Sequence, residues 1–155
     1  MSAGTSEMME LNGRAGTHKP GLKEFGNRAF LKQVTRLRFD GGKARKPDFL
    51  DLEPLPPQNP ADGMALATPF AVEVSGDDST LFVSAAGSDK VFSMDAVSGK
   101  VLGRVKVGAV PRGIALSPAP GGKPKRAWVL NAVENSVSVL DVSDPRNVEL
   151  LSTFY

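Results

Sequence analysis

The sequence predicts an all-β chain built from repeated four-stranded antiparallel sheets, and three observations predict it. The first is composition. Among 155 residues there are 16 Gly and 12 Pro, with 41% hydrophobic, 23% charged and only 6% aromatic residues. That mixture suits a folded chain with many turns better than a helix bundle. The second is a series of short β-rich runs separated by turn residues. The third is self-similarity at a period above forty residues, the mark of a repeat architecture.

The repeat is clearest in the second half. Phe82-Val83-Ser84-Ala85 aligns with Trp128-Val129-Leu130-Asn131, and Lys90-Val91-Phe92-Ser93-Met94-Asp95 with Ser136-Val137-Ser138-Val139-Leu140-Asp141, both at an offset of 46. Upstream, Pro69-Phe70-Ala71-Val72-Glu73-Val74-Ser75 matches Pro111-Arg112-Gly113-Ile114-Ala115-Leu116-Ser117 at an offset of 42. The difference falls in the longer turn 119–126, where extra residues cost little closure entropy.

Each repeat carries four strand-like runs. They are 71–74, 81–85, 90–96 and 101–107 in the first, and 113–116, 127–131, 136–142 and 148–154 in the second. Val97-Ser98-Gly99-Lys100 and Ser143-Asp144-Pro145-Arg146-Asn147 form the last hairpin turn of each. Several runs are apolar at consecutive positions, as at Val137, Val139, Leu140 and Val142, which predicts sheets covered on both faces. Four such strands in a unit of about 40–50 residues is the pattern of a β-propeller blade. An eight-stranded sandwich or barrel is the alternative. The repeated phase of the strand starts and of the closing Asp95 and Asp141 favours duplicated blades.

The first half is less regular. Residues 32–40 alternate, with Thr35, Leu37 and Phe39 on one face and Val34, Arg36 and Arg38 on the other. Gly41-Gly42-Lys43 reads as a turn and 47–52 as a return strand, giving the outer hairpin of a preceding blade. Residues 21–31 hold either inner strands of that blade or a short helix. The domain reading is therefore a disordered segment at 1–20, a partial blade at 21–53, a Pro-rich inter-blade loop at 54–68, and blades at 69–110 and 111–155. Two blades and a partial one fall short of the four to eight of a propeller. An uncovered blade face of roughly 300 Å² forfeits on the order of 7 kcal/mol of apolar burial. The chain is thus expected to belong to a larger propeller, in cis or by self-association.

Charge is uneven. The formal net charge is +2, but Leu11–Lys46 carries ten Lys/Arg against Glu24 and Asp40. The basic residues are scattered without interleaved aromatics, so they read as solvated charges and nucleic acid is not an expected partner. No apolar run is long enough to span a membrane. The first ten residues lack the basic start and apolar core of a signal peptide. There is no Cys and a single His, His18. Within this chain that removes disulfides, thiolate metal sites, covalent c-type haem attachment and a multi-His zinc site.

One segment carries a family resemblance. Pro111-Arg112-Gly113-Ile114-Ala115-Leu116-Ser117-Pro118, Ala127-Trp128-Val129-Leu130-Asn131 and Asn135-Ser136-Val137-Ser138-Val139-Leu140-Asp141 resemble the YVTN family of bacterial and archaeal β-propeller repeats. Trp128-Val129-Leu130-Asn131 stands where that family has Tyr-Val-Thr-Asn. Phe82-Val83-Ser84-Ala85 is a looser copy, with Ala85 in place of the Asn. Leu140-Asp141-Val142-Ser143-Asp144-Pro145 also resembles the related LVIVD repeat. The resemblance covers about 69–155 and implies the propeller fold and a periplasmic or extracellular location, with the cytoplasm as the alternative. Some such propellers resemble chains associated with di-haem cytochrome c peroxidase domains, so an accessory role in a redox protein is the second functional reading.

Chemistry is sparse. Asp95 and Asp141 recur beside tight turns and read as turn caps. Trp128, in a strand, reads as a packing residue. No calcium loop, P-loop, Gly-x-Ser-x-Gly or nucleophile–base pattern is present, so no catalytic residue, metal or cofactor is assigned. The expected function is a non-enzymatic binding or scaffold module. Its ligand face gathers the inter-blade loops and the loops between second and third strands. There Phe70 and Arg112 start the innermost strands near the channel mouth, and Asp89, Lys90, Glu134 and Asn135 rim it. The fixed planar charge of Arg112 points to an acidic protein or small acidic ligand.

Overall fold

The computed structural model describes residues 2–4, 33–54 and 60–155. Every regular element among them is a β-strand. The chain forms two compact units, 1–69 and 70–155.

In the first unit, β1 (Ser2–Gly4), β2 (Gln33–Arg36) and β5 (Asp48–Asp51) make an antiparallel sheet in the order β1-β2-β5. Between β2 and β5, β3 (Phe39–Asp40) and β4 (Lys43–Ala44) pair as a small hairpin. Gly41 and Gly42 close it at φ of 55° and 78°, a turn that side chains resist. The single strand expected over 32–40 is interrupted at Leu37-Arg38. Arg36, which ends β2, and Arg38, within the interruption, both meet one carboxylate. Arg36 Nη2 and Arg38 Nε lie 3.1 and 3.3 Å from Asp48 Oδ2, and Arg45 pairs with Asp40. Much of the described basic charge is thus neutralised locally, in pairs worth about 0–1 kcal/mol each. Glu53 Oε1 accepts a hydrogen bond from Leu66 N at 2.8 Å and ties together the ends of the Pro-rich loop. Of residues 1–20 only Ser2–Gly4 are described, and 21–31 lie outside the described residues.

In the second unit, β6 (Pro69–Val74), β7 (Thr80–Ala85), β8 (Lys90–Asp95) and β9 (Val101–Lys106) form one four-stranded antiparallel meander. β10 (Pro111–Leu116), β11 (Arg126–Asn131), β12 (Ser136–Asp141) and β13 (Glu149–Phe154) form the next. Each is a blade, with ends within about two residues of the runs read from sequence. The duplication extends to irregularities. The register slips between Ser93 and Met94 in the first blade, and between Val139 and Leu140, the equivalent positions, in the second.

The blades share one core. Phe82, Val91 and Val107 of the first pack with Ile114, Ala127, Val129, Leu140, Val142 and Val148 of the second. Polar hooks fix the contact. Ser93 Oγ donates to the Pro145 carbonyl in the β12–β13 turn, and accepts from Gly103 N at 3.0 Å. Gly103 faces the same turn, where an added Cβ would stand 2.7 Å from that carbonyl. Ser84 Oγ accepts from Ala71 N at 3.0 Å and donates to the Arg112 carbonyl at 3.4 Å.

Coverage differs between the blades. β7 is buried along its whole length, and β8 along its interior. The expectation that both sheets are covered on both faces fails for the second blade. In β12, Ser136, Ser138 and Leu140 are buried while Val137 and Val139 are half-buried. Trp128, read from sequence as a packing residue, is 41% exposed. The reason is geometric: these residues share the blade face that points away from the first blade.

Asp95 and Asp141 do cap turns. Asp95 Oδ1 accepts from Ser98 N at 2.7 Å and Ser98 Oγ at 2.8 Å; Asp141 Oδ1 accepts from Ser143 Oγ at 2.6 Å and Ser143 N at 2.9 Å. Hydrogen bonds from the Ser98 backbone, and from the Ser143 hydroxyl, hold these carboxyls below the ordinary carboxylate range.

Candidate binding rim

The inter-blade loop, residues 107–110, and the turns 86–89 and 132–135 meet at one end of the second unit. Backbone bonds lace them together. Ala132 N donates to the Val110 carbonyl at 3.0 Å, Val133 N to the Ala109 carbonyl at 3.3 Å, and Val107 N to the Asp89 carbonyl at 2.9 Å.

Strain is built into this end in duplicate. Thr68 and Val110, equivalent at the offset of 42, have φ of 54° and 56°; Asp89 and Asn135, equivalent at 46, have φ of 53° and 51°. Asn and Asp tolerate the left-handed region, but β-branched residues are outliers there. Each β-branched residue precedes the proline that opens an innermost strand. Val110 is held in place by Asp89, whose Oδ1 accepts from Val110 N at 2.9 Å. Strained backbone of this kind concentrates at functional positions.

Arg112 and Phe70 come together as the offset implies. The Arg112 guanidinium carbon lies 4.8 Å from the centroid of the Phe70 ring. Both side chains are exposed, Phe70 by 46%. Ser84, bridging Ala71 N and the Arg112 carbonyl, holds the two strand starts side by side. A cation stacked on a ring at an exposed site gains about 0.5–1 kcal/mol and keeps its N–H edges free for an acceptor. Among the described residues Arg112 makes no ion pair.

The other expected rim residues play different parts. Lys90 opens β8 half-buried, and its ladder partners are Ala85 and Lys106. Asp89 is a loop clamp and not a free acid. Glu134 Oε2 accepts from Ser136 Oγ at 3.2 Å, and Asn135 is an exposed turn residue. Beneath them lies a buried polar knot that the sequence reading did not single out. Asn131 Nδ2 donates to Ser136 Oγ at 3.0 Å and Ser138 Oγ at 2.9 Å. Gly108 lies against Asn131 and Glu134, where a Cβ would collide with both. Sequence could have found the knot: where Asn131 has Ser136 and Ser138, Ala85 has Lys90 and Phe92 at the matching positions. Among the described residues no cluster of three or more His, Cys, Asp or Glu could hold a metal ion. No helix among them is long and apolar enough to cross a membrane.

No protein-family model matches the sequence, and no curated protein matches it. Solved structures do. The chain is similar to the Pseudomonas aeruginosa periplasmic gluconolactonase PpgL, with 25% identity and a TM-score of 0.57, over 79% of this chain and 33% of that one. It is similar to the beta-propeller domain of Myceliophteria thermophila Cps50 (Swd1), with 13% identity and a TM-score of 0.59, over 79% and 40%. A 6-phosphogluconolactonase-like structure from Bacteroides fragilis gives 17% identity and a TM-score of 0.54, over 79% and 38%. This chain therefore spans well under half the length of each. The fold is all-β, built of four-stranded antiparallel propeller blades.

Proposed function

We propose that the chain is a binding module of a β-propeller, and that its ligand is an acidic peptide or small anion held at the rim by Arg112. The observation that carries this is the stacked Arg112–Phe70 pair, exposed beside a strained and cross-braced loop. The ring holds the guanidinium at this exposed strand start, and a guanidinium can meet a carboxylate or phosphate through two parallel hydrogen bonds. Lys90 and Lys106 add positive potential at the neighbouring strand end. The periplasmic or extracellular location implied by the repeat resemblance belongs to the same proposal, and cell fractionation checks it.

The test uses a fluorescent oligoglutamate peptide and inorganic phosphate as probes, titrated in anisotropy and calorimetry. Arg112→Ala is expected to weaken peptide binding by about 1–3 kcal/mol, the value of a charge-assisted hydrogen bond. Arg146→Ala, an exposed arginine in the β12–β13 turn, is expected to leave it unchanged. Equal losses at both sites would mean diffuse electrostatics without a site. The likeness to PpgL supports a second reading, hydrolysis of a sugar lactone. Ring opening of gluconolactone above the uncatalysed rate, insensitive to Arg112→Ala, would favour it over the binding module.

A further inference from the structure

We propose that the hairpin between β2 and β5 docks on the surface of an anionic lipid bilayer, with Leu37 and Phe39 seated in the interface and the basic side chains on the headgroups. The segment is longer than its connection needs. The blades of the second unit join their last two strands through residues 96–100 and 142–148. β2 and β5 also pair directly, yet residues 37–47 lie between them and fold into the further hairpin of β3 and β4. Every residue from 37 to 47 is exposed. The tip stands clear, since a Cβ added at Gly41 or Gly42 would meet no atom within 4 Å. Extra loop length on a sheet scaffold is a usual carrier of binding residues.

The hairpin has two unlike sides. Phe39 pairs with Ala44 and Asp40 with Lys43, and Arg45 N donates to the Arg38 carbonyl at 2.7 Å. Side chains alternate along a ladder, so Phe39 and Ala44 stand on one side, and Asp40 and Lys43 on the other. The ion pair of Arg45 with Asp40 belongs to that second side. Phe39 is 67% exposed, and Leu37, two residues earlier, 43%.

The charge is not balanced. Asp48 serves both Arg36 and Arg38, and Asp40 serves Arg45. Among the described residues Lys43 and Lys46 make no ion pair. The hairpin thus keeps a surplus of positive charge around apolar side chains that stand in water. Anionic headgroups over hydrocarbon complement both features at once. Basic groups are drawn to the negative surface, and a bulky apolar side chain settles at headgroup depth. Flexible Lys and Arg stems keep their charged ends in the polar layer as the ring enters.

The size of the apolar side also selects a bilayer. Two ladder pairs and their flanks span roughly 10 by 5 Å, far below the ~800 Å² that each partner gives to a standard protein interface. A bilayer demands no shape-matched area. Single-stranded nucleic acid is the other extended polyanion, and it needs aromatic rings set within a basic groove. Here Phe39 stands on the side away from Lys43.

The test is co-sedimentation of the full chain with vesicles of phosphatidylcholine alone and of phosphatidylcholine mixed with phosphatidylglycerol. Binding is expected to the mixed vesicles only, and to weaken as salt rises. Lys43→Ala combined with Lys46→Ala is expected to lower the partition coefficient about tenfold and to flatten its salt dependence. Phe39→Ala is expected to lower it about tenfold with the salt dependence kept. Both changes fall on exposed residues, and an unchanged circular dichroism spectrum checks folding. Arg146→Ala and Val97→Ala, exposed in turns of the second unit, are expected to change nothing. Absence of binding to the mixed vesicles overturns the proposal, and an oligothymidine bound in their place would assign the hairpin to nucleic acid. Equal binding to both vesicles overturns it too, as does an equal loss with Arg146→Ala, or binding indifferent to Phe39→Ala.

Discussion

Asp77 shows how much of a blade depends on one short side chain in a turn. Its Oδ1 accepts from Ser75 Oγ at 2.6 Å, Ser79 Oγ at 2.8 Å and Ser79 N at 3.2 Å. The Ser75 hydroxyl, then the Ser79 side chain and backbone, lower its pKa to about 2. A carboxyl depressed on folding stabilises the native state above its unfolded pKa near 3.8, and that contribution disappears as pH falls towards 2. Asp95 and Asp141 are lowered as well, so they add to the same trend. Denaturant midpoints are expected to be flat from neutral pH down to about 4 and to fall below it. Asp77→Asn is expected to lower the neutral-pH midpoint and to flatten the acid limb. An unchanged acid limb would mean the turn forms without the carboxylate. Val110 gives a prediction of opposite sign. At φ of 56° it is a β-branched residue in left-handed conformation. Val110→Gly is expected to raise stability by about 1 kcal/mol through released strain. If the strain positions Arg112, the same change weakens anion binding, so stability and affinity move apart.

At the level of strands and turns, legibility followed the range of the forces involved. Strand positions, hairpin turns and the placing of Phe70 and Arg112 at equivalent strand starts could be read because offsets of 42 and 46 carry equivalent residues to equivalent places; the contact between the two side chains, and the exposure of Phe70, could not. The capping roles of Asp95 and Asp141 are local to three residues, and so were legible too. The break at Leu37-Arg38 was not; there Arg38 meets Asp48, a residue ten positions further on. The sequence offers Asp89 as a rim residue and is silent on its partner. Its carboxylate is held by Val110 N, 21 residues away across a folded loop. The apolar run in β12 predicts a sheet covered on both faces, yet Val137 and Val139 are only half-buried, because burial depends on what packs on the sheet and no residue in the run encodes that. One element contact with a sharp expected response is Gly103 against the β12–β13 turn. An added methyl would stand 2.7 Å from the Pro145 carbonyl. Gly103→Ala is expected to cost about 1–3 kcal/mol by overpacking. The equivalent change in the second blade, Ser152→Ala, is expected to stay within about 0.5 kcal/mol. Similar losses at both would mean that the inter-blade contact contributes little.

The second unit poses a question about cooperativity. Repeat proteins behave as near-independent units coupled to neighbours, and blades with separate cores would open one at a time. Here the core is not separate. Phe82 of the first blade is among the largest fully buried side chains, and it packs in one cluster with Val129, Leu140 and Val142 of the second. The second blade has no other covered face to fall back on, since its far side carries exposed Trp128, Leu130 and Phe154. Removing Phe82 therefore takes apolar contact from both blades at once. Phe82→Ala is expected to destabilise by about 3–5 kcal/mol, the usual cost of emptying such a site. The informative readout is where protection is lost. In hydrogen exchange of the wild type, β7 and β8, buried on both faces, should be the slowest strands, and the edge strand β13 among the fastest. In Phe82→Ala, peptides from 126–141 should lose protection by nearly the same free energy as peptides from 80–95, because one global opening then exposes both. If the loss stays within 80–95 while 126–141 keeps its wild-type exchange, the second blade is stable without the first. Its buried face would then contribute nothing essential to its folding, and the shared core would be a contact between two finished units rather than what holds them together.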